Sequence, residues 1–392
     1  MSTIAPVLNA RTCSSRPGER SKTAKAMNYW DYIKVEQLLA LQGGLNDDEA
    51  SVGNDEALFI AVHQIYELWF KLILRELTST RDLLQVLQPE DPRMTLAVRS
   101  LRRATSVFEQ ANSHFKLMET MTARDFLEFR ARLAPASGFQ SAQLREIEVL
   151  LGLEEGQRIA MGQVGSFKDA LKLPNGASSS SAQRLQARIC SGPSLKQSLD
   201  AWLARMPING SHDPAVATRF VHDYIAALDA ESERRFRAAC TSGASAEAVA
   251  QQHARLAIES TNAASFLLGE DDPQANAEQR AQRRAVRTAL IFIESHRDLP
   301  MLTWPWELLE EIVALEQSML IWRQRHARMV ERFIGHRVGT GGSPGVAYLD
   351  QTALQYRIFS DLWTVRSLLL PTASLPPLRH GLCDEGVLER GR

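Results

Sequence analysis

An all-α fold is what this sequence predicts, and three observations carry it. Apolar residues recur at steps of three and four from about residue 55 to residue 370. Glycine- and proline-rich breaks cut that span into pieces of ordinary helix length. No segment reads convincingly as a strand, and no internal repeat is visible.

The elements follow in order. Residues 1–26 carry Arg11, Arg16, Arg20, Lys22 and Lys25 against the single acid Glu19, and read as a disordered basic tail rather than an organelle transit peptide. Helix is expected over 55–83, with Asn54 as the cap and Asp55 and Glu56 at its positive end. Two apolar stripes run along it: Leu58, Val62, Ile65, Trp69, Leu72, and Phe59, His63, Tyr66, Phe70, Ile73, Leu77. So broad an apolar face predicts a deeply buried helix. Further helix is expected over 92–122 and 123–133, then a break at Pro135–Gly138 and resumption near Ser141.

Pro174-Asn175-Gly176-Ala177 and the serines after it read as a flexible surface loop. Polar helices at 215–240, 244–267 and 275–296, set off by breaks at 206–214 and 269–273, are expected to pair antiparallel. A long helix from Pro305 to Gly335 carries the stripe Ile312, Leu315, Met319, Trp322, His326, Met329, Phe333. The glycine-rich stretch Gly339–Gly345 follows, then a last helix from about Tyr348 to Leu370. The division expected is a tail (1–26), one helical domain (27–371) with a variable helical region near 172–300, and a C-terminal tail (372–392).

Formal net charge is −1, which gives no general electrostatic reason to bind nucleic acid or an acidic membrane. Cys13, Cys190, Cys240 and Cys383 are widely spaced and form no CxxC pair, which suits a reducing, cytoplasmic setting better than a disulfide scaffold. No apolar run reaches the roughly 18 residues of a membrane span, so no membrane association is expected.

His63 and His326 are the informative titratable residues, each in the apolar stripe of a long helix. One reading is two buried histidines satisfied by hydrogen bonds. The other is an axial imidazole for haem facing a second polar group across an apolar slot. A carboxylate-bridged di-iron bundle needs Glu-x-x-His pairs, and a zinc hydrolase His-Glu-x-x-His; both patterns are absent. Gly339–Gly345 offers backbone donors for an anion or is simply a surface loop. Arg130, just before a break, offers a carboxylate clamp or is a solvated cation. Spacing and composition carry the reading this far.

Several segments together resemble the tryptophan 2,3-dioxygenase family. They are Tyr29-Trp30-Asp31-Tyr32; Asp55–Ile60 running into His63–Lys71; Leu117–Thr122; Phe129-Arg130 with Pro135–Ser141; Trp322–His326; and Gly339–Ser343. They stand in the family's order over about residues 28–370, most clearly in the two outer thirds. The resemblance implies an all-helical, homotetrameric haem b enzyme whose ferrous form, with O2, opens the indole 2,3-bond of L-tryptophan. The product, N-formylkynurenine, begins tryptophan catabolism by the kynurenine pathway. It implies His326 as proximal iron ligand and His63 as the distal partner of the indole N–H. Phe59 would pack on the indole, Arg130 would pair with the carboxylate, and Thr340 would meet the amino-acid end. Ser137 would stand at the pocket's edge, and Tyr29 and Tyr32 would reach a neighbouring subunit's site.

The sequence departs from the family pattern at Asn54, where histidine is usual, at Ala57, where a bulkier residue is usual, and at Ile33, where leucine is usual. These departures leave open a related haem oxygenase acting on a modified indole. A non-catalytic helical sensor or interaction protein is the reading from a different class.

Overall fold

The computed structural model describes residues 28–133, 138–159, 166–173, 175–241, 245–339 and 345–378. Its contacts divide the chain into two units, Met1–Val52 and Gly53–Arg392. In the first, α1 (Tyr29–Ile33) and α2 (Val35–Leu39) are separated by Lys34, whose left-handed backbone (φ 58°) stops one helix and starts the next. Tyr29, Trp30 and Tyr32 are exposed there.

The second unit is built on three long helices: α3 (Asn54–Val86), α4 (Met94–Met118) and, much later in the chain, α12 (Thr303–Ile334). α4 packs along both α3 and α12. Its buried row is Met94, Ala97, Leu101, Ala104, Phe108, Ala111, Phe115 and Met118, strictly alternating steps of three and four. Alanines at 97, 104 and 111 alternate with large side chains, so neighbouring helices can approach closely between the bulky contacts.

α3 buries Val62, Tyr66, Phe70, Ile73 and Leu77, mainly its second stripe, against α4, α6 (Ala142–Leu151) and α8 (Leu195–Leu203). The expected deep burial thus holds for the second stripe and only partly for the first, because Leu72, like Leu68, is exposed: within one chain the helix has an uncovered apolar flank. Among the described residues α3 is the one helix long and apolar enough to cross a membrane, a test that core helices also meet. Asn54 is not its cap. Gly53 holds the extended cap position with no side-chain bond, and Asn54 is already helical; Asp55 and Glu56 in the first turn supply the negative charge the helix start favours.

α5 (Ala123–Leu133) and α6 (Ala142–Leu151) flank a break in which residues 134–137 lie outside the described set. Ser141 caps α6, accepting from Leu144 N–H and donating from its own hydroxyl to Glu67. The serine run is structured rather than a loose loop. Ser179 caps α7 (Ser180–Ile189) and donates to Leu171 O, because a hydroxyl can satisfy the free amides of a helix start. After α8 (Leu195–Leu203), the helices α9 (Pro214–Thr241), α10 (Ala246–Leu268) and α11 (Ala277–Ser295) agree closely with the expected spans; α10 packs on both neighbours.

The last expected helix is two: α13 (Val346–Gln355) and α14 (Ser360–Ser367). Between them the Ile358 and Phe359 amides donate to the carboxylate of Glu316 on α12, which also accepts from the Trp363 indole. A buried carboxylate needs several donors, and opening the helix supplies them. Nor is the chain loose straight after residue 371: Leu375 and Leu378 pack on the core, and Ser374 bonds Glu231 and Arg234. Residues 379–392 lie outside the described set.

Candidate active site

Helix spacing alone lines up Phe59, His63 and Glu67 on one side of α3, since a step of four returns to the same face. On α12 the same rule lines up Trp322, His326, Met329 and Phe333. These residues share one cavity of about 440 Å³, closed further by Phe126 and Arg130 of α5, Arg145 of α6, and Tyr348 and Thr352 of α13. Sites of a few hundred Å³ with mostly apolar walls and few polar groups are those that take small ligands or cofactors.

His63 lines this cavity and keeps much of its surface exposed in the single chain. Its Nδ1–H donates to Phe59 O at 2.7 Å, so in the neutral ring Nε2 is left as an acceptor. Burial pushes its pKa below the ordinary imidazole value, outweighing the opposing effects of that hydrogen bond and of Glu67. Phe59 lies beside it with ring centroids 4.0 Å apart, and packs against Phe129 at 5.5 Å.

His326 stacks on Trp322 at 5.2 Å and has Phe115 at 6.2 Å. Burial lowers its pKa to about 4, with His63, Arg323 and Arg145 acting in the same direction. It is therefore neutral near pH 7, the form that donates a lone pair to a metal. Among the described residues no three of His, Cys, Asp or Glu come together to hold a bare ion. A single neutral imidazole in an apolar slot instead suits a metal that arrives inside a macrocycle and needs one axial ligand from the protein. On these grounds the residues fit haem.

Arg130 is half-buried at the cavity and donates from Nη2 to Val338 O at 2.6 Å, tying α5 to the segment after α12. Ser137 and Thr340 lie outside the described residues; their neighbours Gly138 and Gly339, and Gly345 beyond, line the cavity. Tyr29 and Tyr32 belong to the N-terminal unit and are exposed there. Phe59, His63, Arg130 and His326 are thus brought together within the second unit.

Sequence reasoning passed over a charged group beside the cavity. Glu148, fully buried, pairs with Arg145 at 2.9 Å, Arg158 at 2.7 Å and Arg323 at 2.7 Å. Despite burial, these three cations hold its carboxyl far below the usual range. Arginines at helix steps normally read as surface, and the apolar letters around Arg145 were the available signal. Glu67 was also missed, although it stands one helical turn beyond His63; its two oxygens accept from Ser141 and Gln143.

Comparison with known proteins is consistent along the chain. The family model for tryptophan 2,3-dioxygenase matches residues 14–369. A protein of Ralstonia nicotianae named tryptophan 2,3-dioxygenase 2 is 66% identical over 91% of this chain and 97% of its own length. A tryptophan 2,3-dioxygenase of Sorangium cellulosum is 58% identical, over 94% of this chain and 90% of its own. One from Bdellovibrio bacteriovorus is 33% identical over 91% and 97%.

Proposed function

The chain belongs to the tryptophan 2,3-dioxygenase family, and from that premise we propose how its cavity opens the indole 2,3-bond of L-tryptophan with O2 to give N-formylkynurenine. The reading on a modified indole is not favoured, since relatives at 58–66% identity carry the tryptophan name. The observation that carries the mechanism is the pair of neutral imidazoles, His63 and His326, on two helices around one apolar cavity.

His326 would be the protein's ligand to haem b, and the ferrous haem, when bound, supplies the site at which O2 is activated. The protein's own contribution is positioning. The Nε2 of His63 is free to accept the indole N–H, because Nδ1 is committed to Phe59 O. Phe59 offers an apolar surface for the ring, and Arg130 a cation for the carboxylate. Ser137 at the rim and Thr340 at the amino-acid end complete the set by resemblance. Both oxygen atoms remain in the product, so the protein has no reductant to deliver at each turnover. The reaction would stand first in tryptophan breakdown by the kynurenine pathway.

We further propose a homotetramer in which Tyr29 and Tyr32 complete a neighbour's site. The exposed aromatics of α1 and the uncovered Leu68 and Leu72 of α3 support it, being apolar surface without cover in one chain. Free, exposed Cys190 and Cys240 support a reducing, cytoplasmic setting.

The test is product mass. Haem-loaded, reduced protein should convert L-tryptophan to a species two oxygen atoms heavier, and His326→Ala should abolish it. Unchanged tryptophan from haem-loaded protein would refute the assignment.

A further inference from the structure

Glu67 is the one carboxylate among the described residues that line the cavity, and no cation among them pairs with it. A half-buried charge without a counter-ion needs another source of stabilisation. The start of α6 supplies it. Glu67 Oε1 accepts from the Ser141 hydroxyl at 2.6 Å, and Oε2 from Gln143 Nε2 at 2.8 Å. The same Nε2 reaches the Glu67 backbone carbonyl at 2.7 Å. Ser141 caps α6 and Gln143 lies in its first turn, so the carboxylate also sits at the positive end of that helix. These charge-assisted bonds join α3, which carries His63 one turn before Glu67, to the chain entering α6. That entry borders the cavity through Gly138, Gln140 and Ser141, in and just after the 3-10 turn Gly138–Gln140. Arg130, on α5, is held separately by Val338 O.

We propose that Glu67 is a positioning residue for the substrate: it clamps the Gly138–Ser141 edge of the cavity to α3 and so fixes that edge relative to His63. This deepens the dioxygenase reading and rests on it. His63 and Glu67 lie about 6 Å apart along the axis of one rigid helix, so the imidazole and the edge share a single reference. A substrate bonded to His63 gains affinity from that edge only where the edge is already in place, because ordering it on binding would cost free energy. Glu67 itself takes no part in the reaction. Its loss should therefore weaken binding while leaving turnover of the bound substrate largely intact. A tie that served stability alone would lower the unfolding midpoint and leave KM where it was.

The experiment is steady-state turnover of L-tryptophan by the haem-loaded protein, with equilibrium binding of L-tryptophan measured in the absence of O2. Glu67→Ala should raise KM about tenfold and weaken equilibrium binding to match, with kcat within about threefold and the Soret band unchanged. Glu67→Gln keeps an acceptor for Ser141 but loses the charge, and should recover part of that loss. Gln143→Ala removes one donor and leaves Ser141 to cap α6, so it should raise KM by about threefold even if Glu67→Ala does not fold. Added to Glu67→Ala, it should do little more, since both act on one clamp. KM and equilibrium binding within about twofold of wild type in the folded variants would overturn the proposal while the dioxygenase reading stands. So would a fall in kcat at unchanged KM, which would place Glu67 in the chemistry through His63. If the wild-type protein leaves L-tryptophan unchanged, the dioxygenase reading fails and this assignment fails with it.

Discussion

At the scale of single residues, the imidazoles show what burial does to a titratable group. His63, His326 and His296 are all held below the ordinary value, desolvation being the first cause in each. His296, at the end of α11, is the one outside the cavity. Its ring lies against Phe292 at 5.4 Å and Phe220 at 6.0 Å, and its Nε2 is buried without a partner among the described residues. An unfolded imidazole titrates near 6.5, whereas in the folded chain this one resists protonation. Below about pH 6.5 the unfolded state therefore takes up a proton that the native state refuses, and stability falls as pH drops toward the lowered native pKa. His296→Leu should remove one such contribution, flattening the acid-side decline by up to about 1.4 kcal/mol per pH unit. Urea midpoints of parent and variant between pH 7.5 and 5 would measure it; parallel curves would sink the idea.

At the scale of elements, what the sequence made legible depended on periodicity. α9, α10, α11 and α12 were readable because three-four spacing and terminal glycines or prolines are local signals. The break between α13 and α14 was not, because its cause lies about forty residues upstream in Glu316. The same limit hid the Glu148 cluster, whose members come from α6, α12 and a loop. His63 and His326 were visible as stripe positions, but only packing shows that they share a cavity. Glu316→Ala would strand two buried backbone amides and one indole N–H. A loss of about 2–4 kcal/mol in unfolding free energy is expected, seen as a lower urea midpoint with unchanged slope. A shift under about 0.5 kcal/mol would show that water replaces the carboxylate.

At the scale of the whole molecule, the tetramer and the shared site can be tested together. If a site draws Arg130 from its own chain and Tyr32 from a neighbour, Tyr32→Ala and Arg130→Met homotetramers should each be impaired. Mixed assemblies formed by subunit exchange should recover roughly a quarter of wild-type activity, the chance that a site receives both intact residues. No recovery after verified mixing would place both residues in one chain's site.

α4 gives the molecule a further property. The two imidazoles stand on α3 and α12, and α4 lies along both. The cavity is thus a calliper: the histidines are its jaws, and α4 is the spacer that sets the gap. Ala97, Ala104 and Ala111 thin that spacer at regular intervals. A methylene added at any of them bears on the gauge of the jaws rather than on any group in the reaction. Tolerance to mutation in this protein therefore follows mechanical leverage, and does not simply grow with distance from the chemistry.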